Sequence, residues 1–307
     1  MRARAGINWM SRENLTATSP FSLYSSKGDF SMIERKAEEK QQMSHVQIQD
    51  FFERILKLET PPVAVKFVRK GEERPRGLST NIKPISFCQA VTVSRQGNYS
   101  VYLTRENVSC PNARMAFGLG TEEETRGDRE NQVSNYHKYS PKREAWEKVV
   151  DKKFAIPPGE VIGVGVAPLA RAKFSPDALI FTVIPWQAYY LMNGYLYMTG
   201  DGPLNFTMAN NSLVCGYSAG IAGWGKRINI ATACSGGRGY AGTESIHLYF
   251  SLPWELVDLE IEGLRQRAKV ASYPGLITIP LGVPKSEKHF FRENKPEEDS
   301  NAGDQPG

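Results

Sequence analysis

A chain of 307 residues, 40% hydrophobic and 23% charged, is long enough to bury a large core and too apolar to remain disordered along its length. Lys and Arg number 38 against 33 Asp and Glu, a net charge of +5, and this small excess is dispersed; no basic cluster with interleaved aromatics points to nucleic acid as a partner. No apolar run approaches the roughly 20 residues that cross a bilayer, so no membrane partner is expected.

Residues 1–42 are polar and Ser-rich and end in the charged run Glu34-Arg35-Lys36-Ala37-Glu38-Glu39-Lys40; they are read as a flexible N-terminal arm outside the core. The start also lacks the apolar core of a secretory signal, which places the chain in the cytoplasm, where thiols stay reduced. A globular domain is expected over 43–284, and a disordered, charged tail over 285–307.

Within the domain, Ile48, Phe51, Phe52, Ile55 and Leu56 recur at helical spacing and predict an amphipathic helix over 47–58, stopped by Pro61-Pro62. Val63 to Val68 is a β-branched run that reads as a buried strand. The stretch 86–94 fits helix or strand, 99–104 a strand, and Pro111 opens a helix at its first turn. Residues 120–139 are charged and read as a loop, a candidate lid. A short helix over 142–150, strands over 161–168 and 178–184, and an aromatic-rich helix over 186–198 follow. Short strands are expected at 204–208, 228–232 and 246–252, then a final helix over 254–267. The irregular alternation predicts an α+β fold: one domain with mixed sheet and flanking helices.

Four cysteines carry the chemistry. They stand in Phe87-Cys88-Gln89, Ser109-Cys110-Pro111, Val214-Cys215-Gly216 and Ala233-Cys234-Ser235, with 21 residues between the first two and 18 between the last two. Neither spacing is a C-x-x-C knuckle, so a shared site has to be assembled by the fold. In each pair the second cysteine follows a strand, a pattern that fits a diverged internal duplication. Three readings stay open. The thiolates bind an iron–sulfur cluster or a tetrahedral zinc; one or two are reactive, lowered in pKa by a helix terminus or by Arg238; or all four are inert small hydrophobes. Zinc sites favour short-spaced ligands, so within the first reading the cluster is preferred.

Eight glycines fall between residues 215 and 242. They read either as a cradle whose amides approach an anion or cluster, with Gly236 and Gly237 leading back to Arg238, or as tight turns. Gly118-Leu119-Gly120 lacks the third glycine of a dinucleotide fingerprint. Lys66, inside an apolar strand, either snorkels to solvent or faces an anionic ligand. No two of the four histidines pair at ligand spacing, and no residue is assigned a catalytic role. The aromatic set Trp186, Tyr189, Tyr190, Tyr195 and Tyr197 lines either a pocket or a core.

Several motifs occur together in order: Pro61-Pro62-Val63-Ala64-Val65-Lys66, Cys88-Gln89-Ala90, Tyr102-Leu103-Thr104 through Ser109-Cys110-Pro111-Asn112-Ala113, Ala167-Pro168-Leu169, Pro176-Asp177, Pro185-Trp186-Gln187-Ala188 and Ala233-Cys234-Ser235-Gly236-Gly237-Arg238. From about residue 46 to 267 the chain resembles the domain of unknown function 169 family of bacterial and archaeal proteins. The resemblance implies that the cysteines stand at family motif positions. It also implies a glycine after Cys110-Pro111, where this chain has Asn112. The leading expectation is an iron–sulfur protein held by Cys88, Cys110, Cys215 and Cys234, with a small-molecule substrate or a redox partner. The alternative is a metal-free protein that binds a small molecule or anion through the Gly-rich 215–242 region.

Overall fold

Serine and glutamine three residues apart start two of the helices that frame the core. Ser44 accepts from the Gln47 amide while the Gln47 side chain accepts from the Ser44 amide, and Ser86 and Gln89 repeat the arrangement. The first pair opens α1 (His45–Leu56), which buries Ile48, Phe52 and Leu56; the second opens α2 (Phe87–Gly97). These elements belong to a computed structural model that describes residues 43–270. The expected arm at 1–42 and tail at 285–307 lie outside the described residues.

The remaining elements are β1 (Val63–Arg69), β2 (Val101–Leu103), α3 (Pro111–Ala116), α4 (Glu122–Ser134), α5 (Arg143–Asp151), β3 (Val161–Pro168), β4 (Ala178–Val183), α6 (Pro185–Thr199), a π-helical segment (Leu213–Gly220), β5 (Asn229–Thr232), α7 (Ser235–Ala241), β6 (Leu248–Pro253) and α8 (Val257–Val270). The fold is α+β, with one six-stranded sheet in the order β2-β3-β1-β4-β6-β5. Where a mixed sheet was expected, every ladder between these strands is antiparallel. Parallel pairing occurs as isolated bridges such as Ser79–Val101 and Ile85–Val108.

Strand alternation sorts side chains onto two covered faces. Val63, Val65, Phe67, Leu103, Val164, Val166, Ile180, Ala231 and Tyr249 share one core with Phe87, Val91, Phe117 and Val214 from the helices. On the opposite face Phe181 meets Phe250 and the α1 residue Phe52, ring to ring. Each such fully buried phenylalanine contributes about 1.5–3 kcal/mol relative to exposure. Behind that face α6 and α8 touch at Gly194 and Gly263, where the backbones approach too closely for a methyl group. Glu260 is wholly buried there and neither carboxyl oxygen has a side-chain partner.

The sheet has an internal two-fold. Strands β1, β2 and β3 lie on one side and β4, β5 and β6 on the other, in mirrored order about the β1–β4 pair. Superposing β3 on β6 matches Pro168 to Pro253, and each proline starts a 3-10 turn, Leu169–Arg171 and Trp254–Leu256. Val63 pairs with Pro168 as Ala178 pairs with Pro253, so Val63 matches Ala178. The central ladder, Val63–Ile180 and Val65–Ala178 about Ala64–Leu179, then maps onto itself. This register is what a duplicated half predicts. The seam is short, with three paired rows against seven for β1–β3 and six for β4–β6.

Two expectations are corrected. The charged stretch 120–139 contains α4 rather than forming a loop. Thr121 and Glu124 cap it, and Arg114 and Arg105 clasp its buried Asp128. Residues 204–208 form no strand.

Candidate metal centre

The two-fold relates the positions of the four cysteines. After each central strand comes a cysteine in the first turn of a helical segment: Cys88 follows Ser86 and Phe87 in α2, and Cys215 is the third residue of the π-helical segment. After each outer strand comes a cysteine at the residue that precedes a short helix: Cys110 before α3 and Cys234 before α7. All four thiols are free. Cys88 and Cys215 are buried in the main core, and Cys110 and Cys234 pack against it while remaining partly open to solvent.

The four groups sense one another's charge. Cys88 hydrogen-bonds the sulfur of Cys234, which holds the Cys88 thiol well above its usual range; burial and the charges of the other three act in the same direction. Cys234 is the counterpart. The Cys88 bond, together with the amides of Gly237, Gly236 and Leu213, lowers it to about 6 despite burial. Burial pushes Cys215 well up, and the charges of Cys110 and Cys234 add to this. Burial also raises Cys110, opposed by the amides of Ala113 and Asn112 and by the Asn112 side chain. Asn112, which stands where a glycine was expected, therefore supplies a donor to this sulfur. Its carbonyl oxygen accepts from Ser212, whose hydroxyl also lies 3.3 Å from Asn211. The buried Asn211 amide nitrogen has no partner.

Two further buried cations, Lys153 and Arg95, were not singled out in the sequence. Lys153 is 4% exposed, 2.7 Å from Gln132 Oε1 and 4.4 Å above the Trp146 ring. Burial lowers it to about 7, and the charges of Cys215, Cys110 and Cys234 oppose that shift. Arg95, seven residues along α2 from Cys88, is 5% exposed, and its Nε has no hydrogen-bond partner. A cation at a helix C-terminus gains about 0.3–1 kcal/mol, whereas burying an unpaired charge costs several kcal/mol.

Residues 52–263 match DUF169, described as an uncharacterised ArCR family. The chain belongs to the DUF169 family. It is 26% identical over 221 residues to the uncharacterized protein MJ0308 of Methanocaldococcus jannaschii, an alignment covering 70% of this chain and 91% of that protein. No solved structure matches it. All four cysteines, Lys153 and Arg95 of this DUF169 chain fall inside the matched span.

The other residues singled out in the DUF169 sequence divide. A methyl group at Gly237 would lie 3.8 Å from Cys88 Sγ, and one at Gly236 would lie 3.9 Å from Cys234 Sγ, so both border the thiols. Arg238 is exposed on α7 and enters none of the ion pairs among the described residues. Lys66 is not brought to the cysteines: it lies on the opposite face of β1 and pairs with Asp177 at 3.5 Å. The Gly-rich stretch is largely helical rather than a run of turns. Gly220 and Gly223 make room for the rings of Phe154 and Phe67.

Among the described residues, no set of three or more His, Cys, Asp or Glu side chains is disposed to hold a metal ion. Tetrahedral ligation at about 2.3 Å draws thiolates together around one ion, whereas a cluster spreads them over several metal atoms. The donors gathered in this region are four thiols, amides directed at the sulfurs, and the orphaned Asn211 amide in the adjoining polar chain.

Proposed function

We propose that Cys88, Cys110, Cys215 and Cys234 hold an iron–sulfur cluster and that the protein is a redox or cluster-dependent protein. The observation that carries this is the mutual electrostatic reach of four free thiols contributed in pairs by the two halves of the sheet. Bound there, a cluster supplies one-electron exchange with a redox partner or, with one iron left open, a Lewis-acid site for a small substrate.

The chain's own residues prepare this. Amides of Gly236, Gly237, Leu213, Asn112 and Ala113 stabilise thiolates at Cys234 and Cys110. Lys153 offers positive charge to the same sulfurs. Cys88 and Cys215, buried in the core, keep water from that side. Four free thiols favour a reducing compartment, which supports reading the protein as cytoplasmic. Among the described residues, no helix is long and apolar enough to cross a membrane.

Anaerobic purification with a visible spectrum and iron and acid-labile sulfide analysis tests the proposal. A brown protein whose iron is lost in Cys88→Ser, Cys110→Ser, Cys215→Ser or Cys234→Ser supports it. A colourless protein free of iron after anaerobic reconstitution refutes it. The second reading, a metal-free thiol protein, draws on the Cys88–Cys234 hydrogen bond, which sets one thiolate beside a thiol donor.

A further inference from the structure

Arg95 lies in the last turn of α2 on the side that faces the core, and it enters no ion pair among the described residues. Its Nε–H is buried without an acceptor. The neighbouring elements offer none. On α2, Thr92 donates to the Ala241 carbonyl and Ser94 donates to the Tyr99 carbonyl. The Gln89 amide takes the Tyr240 carbonyl. The segment joining α7 to β6 brings Thr243, and β6 brings the fully buried Tyr249; their hydroxyls lie 2.5 Å apart. Two hydroxyls share two protons, and one of these fills the bond between them. The other remains to donate outward. Arg95 stands one turn beyond Thr92 on α2, so the Thr92–Ala241 bond brings it to the start of the segment that carries Thr243; Tyr249 is within electrostatic reach of Arg95, Cys88 and Cys234.

Buried donors from three elements thus gather around Arg95, whose positive charge has no carboxylate partner among the described residues. We infer that Arg95, Tyr249 and Thr243 form a subsite for the carboxylate of a small organic acid. A planar guanidinium presents two parallel N–H donors that match a carboxylate, and the free hydroxyl proton adds a third. One buried cation balances a monoanion; a dianion would leave charge uncompensated. The carboxylate would bring the rest of the acid toward Cys88 and Cys234. This makes Arg95, rather than the exposed Arg238, the anion-binding arginine. The inference does not require a cluster.

The test uses the full chain, metal-stripped and iron-loaded, titrated with 13C-labelled acetate by NMR, with inorganic phosphate as comparison. Saturable acetate binding is expected in the metal-stripped protein. It should weaken at least tenfold in Arg95→Gln and several-fold in Tyr249→Phe, with phosphate at least tenfold weaker than acetate. No saturable acetate binding to the folded protein overturns the inference, as does phosphate binding equal to acetate. Should Arg95→Gln fail to fold by circular dichroism, Tyr249→Phe and Thr243→Val decide, and unchanged affinity in both overturns it. Iron content, measured on the same samples, reports separately on the cluster reading.

Discussion

Cys88 and Cys234, one from each half of the sheet, interact through their side chains, and the interaction holds the Cys88 thiol above its usual range while it lowers Cys234. The interaction sets an order of ionisation in the metal-free protein. Cys234 should alkylate with a half-maximal rate near pH 6, the value to which the Cys88 bond and three amides lower it. Cys88→Ala removes the largest of those contributions, so the midpoint should move upward toward the usual thiol range. Cys110, the other partly open thiol, is raised by burial and should react only at higher pH. Iodoacetamide rates against pH, with the labelled peptide identified by mass spectrometry, check both statements. An unmoved midpoint in Cys88→Ala would sink the assignment.

Lys153 should make stability depend on pH in the metal-free state. Its folded value of about 7 lies below its ordinary 10.5. Below about pH 7 folded and unfolded chains both hold the proton, and the burial penalty is full. Between there and about 10.5 the unfolded chain binds more protons, so stability rises with pH. Lys153→Met should therefore stabilise by about 2 kcal/mol at pH 6, after loss of the Gln132 hydrogen bond, and the gain should shrink toward pH 9.5. Urea denaturation at the two pH values measures this; a gain that grows with pH contradicts it.

Glu260 carries the opposite sign. Burial holds its carboxyl well above the usual carboxylate range, and the Tyr195 amide offsets this only in part. Above about pH 4.5 the unfolded chain ionises while the folded chain stays protonated, so stability is lost as pH rises through that window. Glu260→Met keeps the volume and removes the cost. It should stabilise by about 2–3 kcal/mol at pH 7 and by little at pH 4.5. Equal gains at both values would show that the carboxyl is not the source.

Two glycine substitutions separate close packing from simple chain freedom. A methyl group at Gly263 would overlap the Gly194 carbonyl oxygen, so Gly263→Ala must part α6 from α8 and should cost about 3 kcal/mol. Gly239 lies within α7 with nothing within 4 Å of an added methyl. Gly239→Ala should be neutral or stabilise by up to about 1 kcal/mol. Thermal melts of the two variants provide the comparison.

Where burial followed a period, it was readable. Ile48, Phe52 and Leu56 repeat at helical spacing and are the buried face of α1, and the β-branched Val63–Val68 run is the central strand. The helix α4 was missed because its buried face is Thr125, Asp128, Gln132 and Val133. Arg105 and Arg114 hold it through Asp128, and an ion pair leaves no apolar period. The cysteines were legible as residues, and their pairing by halves as a pattern. Lys153 was not, since nothing in Asp151-Lys152-Lys153-Phe154 tells the buried lysine from the exposed one. Arg95 left a trace: it lies two turns from Cys88, on a helix that also buries Phe87 and Val91.

The three-row seam between β1 and β4 gives the molecule a line of weakness. Amide exchange should find it, because few backbone bonds must break there for one half-sheet to swing from the other. Cys88 and Cys110 belong to one side of that line, Cys215 and Cys234 to the other. Any ligand gripping sulfurs from both sides acts as a rivet, and seam protons should then exchange no faster than the ligand lets go.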